Sequence, residues 1–234
     1  MKKRIIAVAF LAATLPTALR AQDFMEKANA FSYSKDAYIY LESGDSIIAP
    51  LQLVDYHKGV VSKVKVRKDG EKQVIDVNTI RTVYFPISAM GKLSSALGQA
   101  VKMEKWDKSG TNVNLLNNGY VLFEKIPAII KGKEEPVLAQ LLNPGFAGKI
   151  QVYADFGASE STSYGIGGIT LAGGDDLSYY FRKGTSPAER VRRKDFKEKI
   201  AAYFGDCPAL AAQLEKNYDW ISLHRYIYQH SECQ

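Results

Sequence analysis

Two cysteines, three histidines and no uninterrupted apolar run of about 20 residues set the first limits on this chain. Two cysteines allow one intrachain pair and exclude a dense disulfide framework. The histidines, His57, His224 and His230, are too few and too scattered for a zinc site. The last two stand six positions apart, on different sides of any helix that carries them. Each reads as a surface or half-buried imidazole. The chain has no Cys-x-x-Cys, no Gly-x-Ser-x-Gly, no Walker motif and no His-Glu-x-x-His. The expectation is a protein with no recognisable catalytic residue, no metal-ligand set and no cofactor.

An acidic excess is also missing, and the basic one is smaller than it looks. The 234 residues hold 31 Lys and Arg against 25 Asp and Glu, a net charge of +6. Four of the basic residues (Lys2, Lys3, Arg4, Arg20) lie in the first 21, where a basic start, the apolar IIAVAFLAATLPTAL and Ala21 have the form of a signal peptide. The apolar stretch is too short, and too interrupted by Pro16, for a membrane anchor. Cleavage before Gln22 leaves 27 basic against 25 acidic residues, or +2. That balance argues against a nucleic-acid binder, which keeps a concentrated basic footprint. The most basic remaining stretch, ERVRRKDFKEK at 189–199, reads as a solvated helix face with i,i+4 pairs; the alternative is a membrane-surface or polyanion contact.

What is present divides into zones: a signal peptide at 1–21, a small β domain at 22–86, a helical or irregular insertion at 87–110, an antiparallel β region at 111–184 and a helical segment at 185–234. In the first β zone, AYIYLESGDSIIAPLQLV predicts two strands joined at Ser43-Gly44-Asp45-Ser46. Pro50 removes a backbone donor and so predicts an edge or a bulge. VVSKVKVRKDGEKQVIDV repeats the alternation, with a hairpin turn at Asp69-Gly70. TIRTVYF follows with Ile80, Val83 and Phe85 roughly in period. Such strands and turns imply a small barrel or a strongly bent sheet. In SAMGKLSSALGQAVKMEKW, Met90, Leu93, Leu97 and Val101 fall at helical spacing, weakened by Gly91 and Gly98.

In the second β zone, NVNLL and YVLFEKI flank Asn117-Asn118-Gly119 and read as a hairpin. PVLAQLL and KIQVYADF flank a turn at Asn143-Pro144-Gly145. KIQVYADF and LSYYFRK then enclose GIGGITLAGGDD at 165–176. A phosphate cradle needs a glycine loop that feeds a helix, and here a strand follows. Asp175 and Asp176 point oppositely if extended, so an exposed hairpin tip with little ordered structure is expected rather than a divalent-cation site.

Ser186-Pro187-Ala188-Glu189 has the marks of a helix start, and Val191, Phe196, Ile200, Tyr203 and Phe204 form an apolar side up to Gly205. A second helix opens at Cys207-Pro208. A third runs from about Asp219, with Trp220, Leu223 and Ile227 inward and Cys233 just past its end. Antiparallel packing of these two helices would bring Cys207 and Cys233 together, so a structural disulfide is expected in an exported chain. A reactive thiol is the rival, but His224 lacks an obvious orienting carboxylate. The fold class expected is α+β: a β-rich N-terminal and central region followed by a C-terminal three-helix segment.

The strings YLESGDSIIAPLQL, KDGEKQVIDVNTIRTV and FKEKIAAYFGDCPALAAQL, with a tyrosine-rich closing helix and a final cysteine, resemble a group of uncharacterised exported proteins of Gram-negative bacteria. The group carries an "sGDtixGxi" hairpin and a "dCp.L" helix. This chain departs from it at Ala49-Pro50, where the group usually has a glycine. The resemblance implies an envelope or secreted protein and carries over no catalytic residue. The functional expectation is a non-enzymatic binding or structural protein of the cell envelope, with a protein, peptide or glycan partner. The alternative is an extracellular polymer hydrolase, because carboxylate pairs assemble in three dimensions without a sequence spacing. Tyrosines can line such a ligand surface. Tyr38, Tyr40, Tyr179 and Tyr180 are equally explained by cross-strand packing.

Overall fold

The turns read in the N-terminal zone all fold as hairpins. A computed structural model describes residues 23–233 except 29, 58, 89–110, 159–163, 167–168 and 173–176. The first 21 residues, the spaced apolar stretch 88–106 (but for Ser88) and Asp175 and Asp176 therefore lie outside the described residues. β1 (Asp36–Leu41) turns through Gly44 into β2 (Ser46–His57), and β3 (Val60–Lys68) turns through Asp69 and Gly70 into β4 (Glu71–Ile75). Both turn residues have positive φ, +53° and +84°, the backbone a two-residue primed turn requires.

β2 is the bend. Its first half pairs with β1 as far as Asp36↔Pro50, and its second half pairs with β3 from Leu51↔Val66. The register shifts between Leu51 and Leu53, so the bulge predicted from Pro50 lies beside it, in a central strand rather than an edge. β5 (Ile80–Pro86), β6 (Tyr120–Ile130) and β7 (Lys133–Gln140) complete a seven-stranded antiparallel sheet ordered β4-β3-β2-β1-β5-β6-β7. The bend brings β7 back near β3. Ile39, Leu51, Val64, Phe85 and Phe123 fill the inside of this sheet, while Tyr84, Leu122 and Ile126 are buried on its other face. Burial on both faces explains why TVYF and YVLF read as continuous apolar runs.

NVNLL is not a strand. Val113–Asn117 is a short helix, α1, capped by the Asn112 side chain accepting from the Leu115 N–H, and Gly119 leaves it with φ +82°. The local cap wins over the Asn-Gly hairpin signal. The hairpin in this zone is β6–β7, turned by Lys131 and Gly132 at φ +51° and +80°.

β8 (Ile150–Ala154), β11 (Ser178–Lys183) and β12 (Glu189–Arg192) form a second, three-stranded antiparallel sheet. Within the long β8–β11 connection, β9 (Tyr164–Ile166) and β10 (Ile169–Ala172) pair as antiparallel strands, so these described residues of the glycine-rich stretch are strand. Ser186-Pro187-Ala188-Glu189 does not start a helix. Ala188 donates to the Pro127 carbonyl and accepts from the Ile129 N–H, and Val191 pairs with Tyr179. Those bonds draw 189–192 into a strand, and tertiary pairing overrides the capping signature. Helices α2 (Phe196–Phe204), α3 (Pro208–Lys216) and α4 (Leu223–Glu232) cover one face of this sheet. Phe196, Ile200, Phe204, Leu214 and Ile227 pack there on Val152, Phe181 and Val191. The fold is α+β, β-rich with a C-terminal helical segment.

Phe24, Met25 and Phe31 tie the sheets together. Phe24 stacks on Phe146 and meets Tyr179 edge-on, Met25 N–H donates to the Leu142 carbonyl, and Phe31 packs on Phe85 and Phe123. Tyr38 and Tyr40 meet Tyr120 and Tyr84 edge-on, the cross-strand packing read from the sequence.

Candidate anion-binding cleft

The register of the small sheet builds a charged cluster. Tyr179 lies opposite Ala154, so Asp155 comes next to Ser178. Asp155 is only 4% exposed; its carboxylate accepts the Ser178 hydroxyl at 2.8 Å and the Gly157 N–H at 3.0 Å. Across the sheet, Ser178 opposes Arg192 and Tyr180 opposes Arg190, which puts both arginines on this face while Val191 enters the core. Arg190 Nε reaches Asp155 Oδ2 at 2.5 Å and Ser178 Oγ at 3.3 Å. A buried carboxylate with a guanidinium and two further donors is a satisfied arrangement.

Around this anchor opens a cleft of about 700 Å³. One side is Arg190, Arg192, Arg193 and Lys194, the last two carried on a tight helical turn whose start is fixed by the Arg193 N–H bonding to the Leu177 carbonyl. The other side is Tyr218, Asp219 and Trp220, between α3 and α4. Asp219 is occupied locally: its carboxylate accepts from the Ile221 N–H and the Ser222 hydroxyl. Arg192 has a loose partner in Asp195 at 3.8 Å, and Arg193 and Lys194 have no ion-pair partner among the described residues. Among the described residues four cations thus face three carboxylates (Asp155, Asp195 and Asp219), a local surplus of one positive charge. The basic stretch is therefore not a solvated helix face laced with i,i+4 pairs. Its first four residues are strand, and Lys199 bonds back to Glu189 across the strand–helix junction at 2.7 Å.

The C-terminal cysteines meet as expected. Cys207 and Cys233 form a disulfide with Cα atoms 5.9 Å apart, Cys207 capping the start of α3 and Cys233 the end of α4. Beside the bridge, His230 is fully buried rather than at the surface or half-buried as read for it, with Nε2 at 2.7 Å from Asp206. Lys183 Nζ bonds the same carboxylate at 2.7 Å and also the Tyr203 carbonyl. Partial burial alone would push the Asp206 carboxyl up; the hydrogen bonds from Lys183 and His230 outweigh it and hold the group well below its ordinary value of 3.8. A depressed carboxyl contributes stability above its unfolded value and loses it as pH falls toward the folded one. Stability is thus expected to decline below about pH 4, more steeply in the natural chain than in Asp206→Asn. Urea unfolding midpoints measured between about pH 5 and pH 2 check this; parallel curves would refute it.

His224 also has a carboxylate, Asp23 at 2.9 Å, a partner that sequence distance hides. Burial lowers its pKa, with Asp23 opposing. Tyr153, fully buried, donates to Glu124 at 2.9 Å, and burial pushes that carboxyl up. Neither cluster lines the cleft. Among the described residues no group of three or more His, Cys, Asp and Glu is placed to hold a metal ion. No described helix is long and apolar enough to cross a membrane. The cleft itself was hidden in the sequence because Asp155, Ser178 and Arg190 converge only through the β8–β11–β12 register. The one signal was the basic stretch at 189–199.

Comparison of the chain with models of known protein families, with curated proteins and with solved structures gives no match.

Proposed function

We propose that the protein is exported and acts by binding, holding an anionic group of a cell-envelope protein, peptide or glycan in the cleft at 190–194 and 218–220. The observation that carries this is the concentration of three arginines and a lysine beside the half-buried Tyr218 ring in a cleft of ligand size. Arginine forks suit oxyanions, and the aromatic wall supplies apolar contact. Hydrolysis finds less support, because among the described residues that line the cleft the one carboxylate, Asp219, is committed to capping its own turn.

Titration calorimetry with sodium phosphate and with a glucuronate oligosaccharide tests the reading. At least one should bind, and more weakly as salt rises. Absence of any anion binding would remove the proposal, and shortening of the oligosaccharide during incubation would restore the hydrolase. Export predicts that the protein recovered from its native cell begins at or near Gln22. A chain starting at Met1 in the membrane fraction would make that segment an anchor instead.

A further inference from the structure

We infer that the cleft reads the carboxylate of an acidic sugar, with Arg190 as the residue that grips it; this rests on the binding role proposed above. Arg190 differs from its neighbours in being held. Its contacts with the protein run through Nε, to Asp155 and Ser178, which leaves the two terminal nitrogens for a ligand. A guanidinium fixed by a buried carboxylate is already oriented, so little side-chain freedom is lost on binding. Arg193 and Lys194 are exposed and add attraction more than geometry.

Among the described residues the surplus of one positive charge matches a single carboxylate better than a polyphosphate, which would leave several negative charges unpaired. The wall decides the body. Half-buried Tyr218 offers apolar surface to a ring, in a space of about 700 Å³ that admits one to a few sugar rings.

A peptide is less well served. Strand addition needs a run of free backbone groups, whereas β12 has four residues and is tied off at both ends. Ala188, just before it, bonds β6 through both its N–H and its carbonyl, and Arg193, just after it, donates to Leu177.

The experiment is calorimetry of the protein with four probes: a glucuronate tetrasaccharide, a glucose tetrasaccharide, sodium phosphate, and a tripeptide with a free C-terminus. The glucuronate tetrasaccharide should bind at least about tenfold more tightly than each of the other three. Arg190→Lys keeps the positive partner of Asp155 but loses the fork, and should weaken glucuronate binding about tenfold. Tyr218→Ala should weaken it severalfold and leave phosphate unaffected, which keeps the test open if Arg190→Lys folds poorly. Equal binding of the glucose tetrasaccharide, or unchanged affinity in Arg190→Lys, overturns the inference. Tighter binding of phosphate or the tripeptide overturns the sugar assignment while leaving the anion-binding role standing, and no binding of any anion removes both.

Discussion

Cys207→Ser is expected to lower the unfolding free energy by about 2–4 kcal/mol, a large share of what an ordinary domain has. The bridge closes a loop across 26 positions, for which the chain-entropy estimate is about 3.5 kcal/mol. The loss should be local. The loop encloses α3, α4 and the turn between them, so it governs how Leu210, Leu214, Trp220, Leu223 and Ile227 hold to the small sheet. The seven-stranded sheet keeps its own interior of Ile39, Leu51, Phe85 and Phe123 and should be less affected. Limited proteolysis of Cys207→Ser should therefore cut first between 205 and 234, and alkylation of the non-reduced natural protein should find no free thiol. Two free thiols, or first cuts in the N-terminal sheet, would refute the account.

The bridge also positions groups that the sequence did not bring together. Asp206 precedes Cys207, and His230 stands one turn before Cys233, so joining the cysteines presses the imidazole against the carboxylate. Lys149 adds a hydrogen bond from its ammonium to the Cys233 carbonyl, tying the end of α4 to the strand that begins at Ile150. This cluster is structural in character: none of its residues lines the cleft, and His230 is fully buried.

Local chemistry made parts of this fold legible. Gly44, the Asp69-Gly70 turn and Pro208 at a helix start each demand one backbone arrangement, and each was found there. The misreadings came where two local signals compete. Asn112 and Gly119 both favour a helix end and a tight turn, and the short helix prevails because Asn112 caps it. Ser186-Pro187 with Glu189 imitates a helix start, yet Glu189–Arg192 also alternates in and out, and pairing with β11 selects the strand. That second error concealed the cleft, because a helix would have scattered Arg190 and Arg192 to different sides. Asp155 could not be singled out at all, since its partners stand 23 and 35 positions away.

Asn143→Leu is expected to cost about 2–5 kcal/mol although it replaces a polar side chain by an apolar one of similar size. Asn143 is fully buried at the corner between the two sheets, and its amide works as a second backbone. Its Nδ2 donates to the Ile150 carbonyl at 2.8 Å and the Phe146 carbonyl at 3.3 Å, and its Oδ1 accepts from the Val152 N–H at 2.8 Å. Leucine removes both functions and admits no water to replace them, so the Val152 N–H and the Ile150 carbonyl are left buried without their partner. Asn143→Asp separates the donor from the acceptor. The carboxylate still accepts from Val152 but faces two carbonyl oxygens, so at pH 7 it should destabilise at least as much as leucine. Protonation supplies an O–H for one of those carbonyls, so the penalty relative to the natural chain should shrink as pH falls from 7 toward 5. Urea unfolding of the three proteins at both pH values decides it: a Leu variant within about 0.5 kcal/mol of the natural protein, or a penalty of the Asp variant that does not change with pH, would show that this amide is not what holds the corner.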